Sequence, residues 1–397
     1  MPESPVSARK TPRPLSAFRR AEAMSHDLSQ LPGKGPSYFD DVKLAGLLSK
    51  ESIEEQIQWL RRLDVDSYIQ RVVNPSENQK RLSSAEVIQQ LGGVLIQEEI
   101  EGPLYLAEVE FQIGALKRRI GFVAQDHRTQ HGTWDPKHHH RAADKLGFFA
   151  IHGMPVVTFI DTPGAVATAE ANLDNQSHSI SFLIAEMANL QLPTVGIVFG
   201  AGYSGGAIPL ATTNVLLATK DGVFNTIHPK GLSNIARKYN LSWQECAKFM
   251  GVSSYELYSS GYFDGIIDFS LDQPGKISNL REAILSGIET TEQNARLFLK
   301  ENSFLFDHYK ENIGHYLNPS ELQIVANRRT HKPPTGTLNV FGSAYRFMRG
   351  LKMRQKIQSE SLKNYSRLSS KTAKTPIGTL TERIEQERQE KFKKWLQ

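Results

Sequence analysis

Apolar residues recur along this chain at two different periods, and the change of period divides it. Between residues 50 and 92 the spacing is helical, with Ile53, Ile57, Leu60 and Leu63 on one stripe and Val87, Ile88 and Leu91 on another. Leu104–Phe111 and Arg119–Ala124 then read as the arms of a β-hairpin with Gly114 in its turn. From about residue 140 strand and helix alternate: Val156–Ile160, Thr194–Phe199, Val215–Ala218 and Val223–Ile227 are short apolar strands. Between the first two, Ile180, Leu183, Ile184, Met187 and Leu190 line one helix face. Short βαβ units of this kind predict a mainly parallel sheet with helices packed on it. Residues 290–397 are polar and helix-like, with PPTG (Pro333–Gly336) marking a loop boundary. In the last stretch Thr379 and Glu382 have capping-box spacing, and Leu380, Ile384, Phe392 and Leu396 share a stripe interrupted by Arg388, which fits an amphipathic docking helix or a solvated terminal helix equally.

Length and charge refine this division. The 397 residues exceed one average domain. Residues 1–24 carry a net +3 and residues 351–397 a net +7, against +5 for the whole, so the middle carries −5. The basicity belongs to the ends, which argues against a dedicated nucleic-acid binder. The single cysteine, Cys246, excludes a disulfide framework and an internal cysteine-type zinc ribbon; it reads as a buried thiol in a reduced compartment. No apolar run has the length of a membrane span. The basic N-terminal residues fit an organelle transit peptide or, as the preferred reading, a plain basic tail.

The chemistry-bearing stretch is Thr158–Ala207. TFIDTPGA (Thr158–Ala165) and GAGYSGGA (Gly200–Ala207) each carry an apolar strand into a glycine-bearing turn, and the second turn opens a helix. Backbone N–H groups at such a helix start bind anions and stabilise oxyanions without a catalytic side chain. Other motifs overlap here. GAGYSG satisfies GxGxxG, with Asp221 where a ribose-binding acid would stand, yet only eight residues separate Gly206 from Val215, too few for a crossover helix. GYSGG satisfies GxSxG and makes Ser204 a candidate nucleophile with His228 as the nearest downstream histidine of the motif region. FIDTPG resembles a GTPase DxxG element, but no GxxxxGK[ST] accompanies it. His127, His131 and His138–His140 suggest a metal cluster, and Gly132, Trp134 and Pro136 make a polar surface loop the expected reading.

Together with HPKGLSNIARK (His228–Lys238) and GYFDGIID (Gly261–Asp268), the two glycine motifs resemble the α subunit of bacterial-type acetyl-CoA carboxylase carboxyltransferase over roughly residues 100–275. The resemblance implies an α/β, crotonase-like spiral of short βαβ units with helical N- and C-terminal extensions. The expected organisation is a loosely docked or disordered basic segment (1–40), a helical extension (41–95), the carboxyltransferase domain (96–290) and a helical, basic C-terminal extension (291–397). It implies transfer of a carboxyl group from carboxybiotin, held on a biotin carrier protein, to an acyl-CoA such as acetyl-CoA, giving malonyl-CoA in fatty acid biosynthesis. A β-type chain supplies the acyl-CoA half and the zinc ribbon, in a cytoplasmic oligomer. Gly205 and Gly206 stand where the catalytic N–H pair lies, and Thr162, Pro163, Gly164, Ala165, Gly202 and Ser204 are the substrate-side residues. The leaving ureido nitrogen takes the acyl α-proton in that family, so no protein base is needed.

Several loops depart from the family pattern. VATAEANLDNQ (Val166–Gln176) replaces a glycine-rich acidic stretch, Ala201 and Tyr203 replace Glu and Gly, Lys230 replaces an acid, and AQDHRT (Ala124–Thr129) replaces a basic segment. Two alternatives therefore stand beside the transferase reading: a catalytically weakened assembly or regulatory subunit, and a crotonase-fold serine hydrolase using Ser204.

Overall fold

The hairpin read from the two apolar runs is present. β2 (Leu104–Ile113) pairs antiparallel with β3 (Leu116–Gln125) from Leu104↔Gln125 to Ile113↔Leu116, with Gly114 at φ +59° in the two-residue turn. The computed structural model describes residues 44–272, 274–301, 342 and 344–353. They lie in one compact unit formed by residues 42–301 and 334–397. The C-terminal stripe around Leu380 and the PPTG boundary fall outside the described residues.

The strands of the alternating region join the hairpin in parallel. β4 (Val156–Thr162) pairs with β3, β5 (Thr194–Tyr203) with β4, β6 (Val215–Ala218) with β5, and β8 (Gly265–Ile266) with β6. β7 (Val223–Asn225) also pairs with β5, farther along that strand. Residues Val195–Val198 of β5 hold β6, while Ala201–Tyr203 hold β7. The sheet thus divides at β5, as expected where short βαβ units turn out of a single plane. Every residue of β4 and β5 is buried, which is why both read as unbroken apolar runs.

Helices cover both faces. On one, Val87 and Ile88 of α2 (Ser84–Gln90) and Leu280, Ala283, Ile284 and Ile288 of α9 (Ile277–Glu301) pack on Phe111, Phe122, Phe159 and Phe199. On the other, Ala142, Leu146 and Phe149 of α3 (Pro136–Ile151) and Leu183 and Met187 of α4 (Gln176–Asn189) pack on Val123, Ile160 and Val198. Each fully buried Val, Leu, Ile, Met or Phe among them contributes about 1.5–3 kcal/mol. The class is α/β with a parallel-rich sheet, and short helices run between residues 50 and 90, including α1 (Lys50–Arg62) with its buried Ile53, Ile57 and Leu60.

Two elements differ from the sequence reading. β1 (Val94–Glu101) is an edge strand on β2, with a register shift between Leu95 and Gln97; its residues are mostly exposed, and apolar Val94–Ile96 and Ile100 do not alternate with its acidic residues, so no period-two pattern marks it. His138, His139 and His140 lie on α3, not on a surface loop. Asp135 caps that helix by accepting from His138 N–H, while His138 Nδ1 takes the Asp135 N–H. His127, His138 and His139 are buried, and the described residues hold no metal-ligand cluster.

Candidate functional site

The two glycine-bearing turns meet. β5 passes directly into α5 (Ser204–Ala211) through Ser204, whose φ of +62° is rare for a residue with a side chain. Tyr203, in the N-cap position, makes no side-chain cap. Ser204, Gly205 and Gly206 are the first three helical residues, so their N–H groups have no partner inside the helix and sit at its positive end. Across from them β4 ends in the Thr162–Ala165 turn. The Thr162 hydroxyl donates to Gly164 O at 2.7 Å and accepts from Gly164 N–H at 3.2 Å, and Gly164 sits at φ +146°. Gly206 presses against that turn: a Cβ there would stand 2.6 Å from both Ala165 N and Gly164 C. Only glycine permits so close an approach of two backbones.

Behind the turns the sheet ladder is broken and side chains replace it. β4 and β5 pair Ile160 with Val198 and then Thr162 with Gly202, so β5 uses two extra residues there. Asp161 Oδ1 accepts the Ala201 N–H in this gap at 3.2 Å. Gln125, at the end of β3, accepts the Asp161 N–H at 3.1 Å and donates to Gly206 O at 2.8 Å. Arg81 grips both Asp161 oxygens at 2.6 and 2.7 Å, and His127 Nδ1 lies 3.3 Å from the same carboxylate. Burial alone would raise the Asp161 pKa, but Arg81 and His127 outweigh it and hold the carboxyl below its ordinary value.

Of the residues expected at the site, Thr162, Gly164, Ala165, Ser204, Gly205 and Gly206 come together around the paired turns. Pro163 is exposed at the tip of its turn. Gly202 lies inside β5, flanked by Thr162 of β4 and Phe224 of β7. His228 Nδ1 accepts the Lys230 N–H at 3.2 Å, and its Nε2 stands 3.6 Å from Glu77; no hydrogen bond joins it to Ser204 among the described residues. Asp221 accepts from Ser270 and Leu271 N–H, a structural role. Arg81 and Gln125 were not singled out in the sequence, and His127, expected in a polar surface loop, is buried against Asp161. The available signal was Asp161 itself, a lone carboxylate within an apolar strand, which demands a partner.

Residues 118–299 match the family described as acetyl co-enzyme A carboxylase carboxyltransferase-like. The acetyl-coenzyme A carboxylase carboxyl transferase subunit alpha of Francisella philomiragia is 32% identical over 184 residues, covering 44% of this chain and 58% of that one. The subunits beta/alpha protein of Saccharopolyspora erythraea is 29% identical over 184 residues, covering 45% of this chain and 32% of its own length. The chain thus spans only about a third to three fifths of these relatives. Among solved structures, transcarboxylase 12S with hydrolyzed methylmalonyl-coenzyme A is similar at a TM-score of 0.46 and 17% identity, over 68% of this chain and 49% of that one. The family match and the two subunit sequences bear out the resemblance to the α-type carboxyltransferase family, at the identities of a divergent relative.

Proposed function

We propose that this chain is the α-type half of an acyl-CoA carboxyltransferase, with a β-type chain supplying the acyl-CoA half. The observation that carries the reading is the uncapped start of α5, where two glycines follow the Ser204 elbow and the second of them, Gly206, packs on the Thr162–Ala165 turn. Carboxybiotin, presented on its carrier protein, supplies a carboxyl group whose release leaves negative charge on the ureido oxygen. In this reading the N–H groups of Gly205 and Gly206 donate to such an oxygen, and the lack of a side chain at either position keeps the approach open. Two donors aimed at developing charge account for about 3–4 kcal/mol each of transition-state stabilisation. Helix α4 flanks the approach through Ile180, whose Cδ1 would lie 3.3 Å from a Cβ at Gly205.

Ser204 in this reading shapes the elbow and carries no chemistry. The hydrolase alternative requires a base at Ser204, and the positions of His228, Glu77 and Lys230 N–H favour the transferase. The test is reconstitution. The chain, a carrier already loaded with carboxybiotin and acetyl-CoA or propionyl-CoA are assayed with and without a β-type chain from the same proteome. Carboxylated acyl-CoA is expected only from the mixture; turnover by the chain alone contradicts the half-site reading.

A further inference from the structure

Gln125 is fully buried, and its side chain spans the two turns from below. β3 and β4 stop pairing at Ala124↔Phe159, so the Asp161 N–H has left the ladder when Gln125 Oε1 accepts it at 3.1 Å. The same amide donates through Nε2 to Gly206 O at 2.8 Å. One turn begins immediately after Asp161, at Thr162, and the other ends at Gly206. One rigid amide therefore ties the backbone entering the first turn to the backbone leaving the second. The backbone of Gln125 is itself fixed, because its C=O accepts from the Ser84 hydroxyl at 2.7 Å.

From this we infer that Gln125 is a positioning residue: it sets the separation and tilt of the Thr162–Ala165 and Ser204–Gly206 turns and thereby aims the Gly205 and Gly206 N–H groups. The inference rests on the proposed transferase reading for its catalytic consequence, but not for its structural content. Neither half of the amide can be dispensed with. Without the donor, Gly206 O loses its tie to β3; without the acceptor, a buried Asp161 N–H is left unmatched. Direct contact with substrate is not required of it, since it lies behind the glycine backbone.

The test compares Gln125→Met, similar in length but unable to bond, and Gln125→Glu, which keeps the acceptor and loses the donor when ionised, in the full-length chain. Amide hydrogen exchange is followed at residues 161–165 and 204–210, and kcat and KM for acyl-CoA are measured with the β-type chain. Gln125→Met is expected to speed exchange in both turns by about tenfold or more, for loss of two buried hydrogen bonds. It should lower kcat by about tenfold or more while KM for acyl-CoA moves less than about threefold, because the loss is one of geometry. Gln125→Glu should loosen the Gly206 side more than the Asp161 side. Wild-type exchange in both turns, or a fall in kcat without any change in exchange, overturns the inference; so does faster exchange with unchanged kcat. If the wild-type pair transfers no carboxyl group, the proposed function fails, and the exchange arm alone decides whether Gln125 couples the turns.

Discussion

Arg81 reaches Asp161 across eighty positions of sequence, and both side chains are only 1% exposed. Arg81 lies in the helical N-terminal segment, between Asn74–Glu77 and α2, and Asp161 is the penultimate residue of β4. The extension is therefore part of the structure that shapes the candidate site. Removing one partner of a buried pair leaves the other charge uncompensated, at about 3–5 kcal/mol. Arg81→Met and Asp161→Asn should each lower unfolding stability by that order, measured by urea denaturation at neutral pH.

Acid should reveal the same pair. The folded Asp161 pKa lies below the unfolded value, so the stability it confers is present above the unfolded carboxylate pKa of about 3.9 and is lost as pH falls through the folded value. Urea midpoints measured from pH 7 down to pH 3 should fall more steeply below about pH 4 in wild type than in Asp161→Asn. Parallel profiles would show that Asp161 does not carry the linkage.

Arg349, on the helical residues 344–353, closes the far end of α4. Its guanidinium donates to the carbonyls of Met187, Ala188, Leu190 and Leu192 at 2.7–3.1 Å and to Asn214 Oδ1 at 2.9 Å. Met187 and Ala188 are in the last turn of α4, where carbonyls run short of donors within the helix, and Leu190 and Leu192 follow it; Met187 O also accepts the Leu190 N–H. Lys352 adds bonds to Asn214 O and Asp264. Arg349→Met should cost about 3 kcal/mol, since hydrogen bonds to a charged group contribute about 1.5–3 kcal/mol. Thermal unfolding reads the loss, and an unchanged midpoint would remove this C-terminal helix from the stability of α4.

The glycine pair should separate by position. Gly206→Ala places a methyl within 2.6 Å of the facing backbone, so the turns must part. Overpacking of this kind costs about 1–3 kcal/mol. The sequence alone suggests instead that bulk at Gly206 leaves the fold intact and merely blocks a carboxylate. At Gly205 the nearest atom is the flexible tip of Ile180 at 3.3 Å, so Gly205→Ala should melt close to wild type. Differential scanning calorimetry of the two variants distinguishes the positions.

What could be read from the sequence follows the physics of each element. β4 to β7 were legible because strands buried on both faces are runs of apolar residues. The Gly205–Gly206 elbow was legible because a strand, a tight turn and a helix start are local. β1 was not, since an exposed edge strand whose apolar and acidic residues do not alternate lacks periodicity and gains its pairing from β2. His138–His140 read as a loop because Gly132, Trp134 and Pro136 precede them, yet Pro136 is the first residue of the helix that Asp135 caps. The support beneath the site was illegible for another reason. Gln125 and His127 fall in AQDHRT, where the chain departs from the family pattern, and Arg81 lies outside the region of resemblance. Their partners are tertiary neighbours that no spacing announces.

The central claim is that backbone N–H groups carry the chemistry at the α5 start. Its most direct measurement is the carboxyl-transfer rate of Ser204→Ala and Gly205→Val, each assembled with the β-type chain and each checked for an unchanged melting temperature. Ser204→Ala should keep its rate within about threefold, while Gly205→Val, by crowding the N–H approach, should lose about a hundredfold or more, the order associated with one oxyanion donor. A Ser204→Ala enzyme that is dead beside an active Gly205→Val enzyme would contradict the account and return the site to a serine nucleophile.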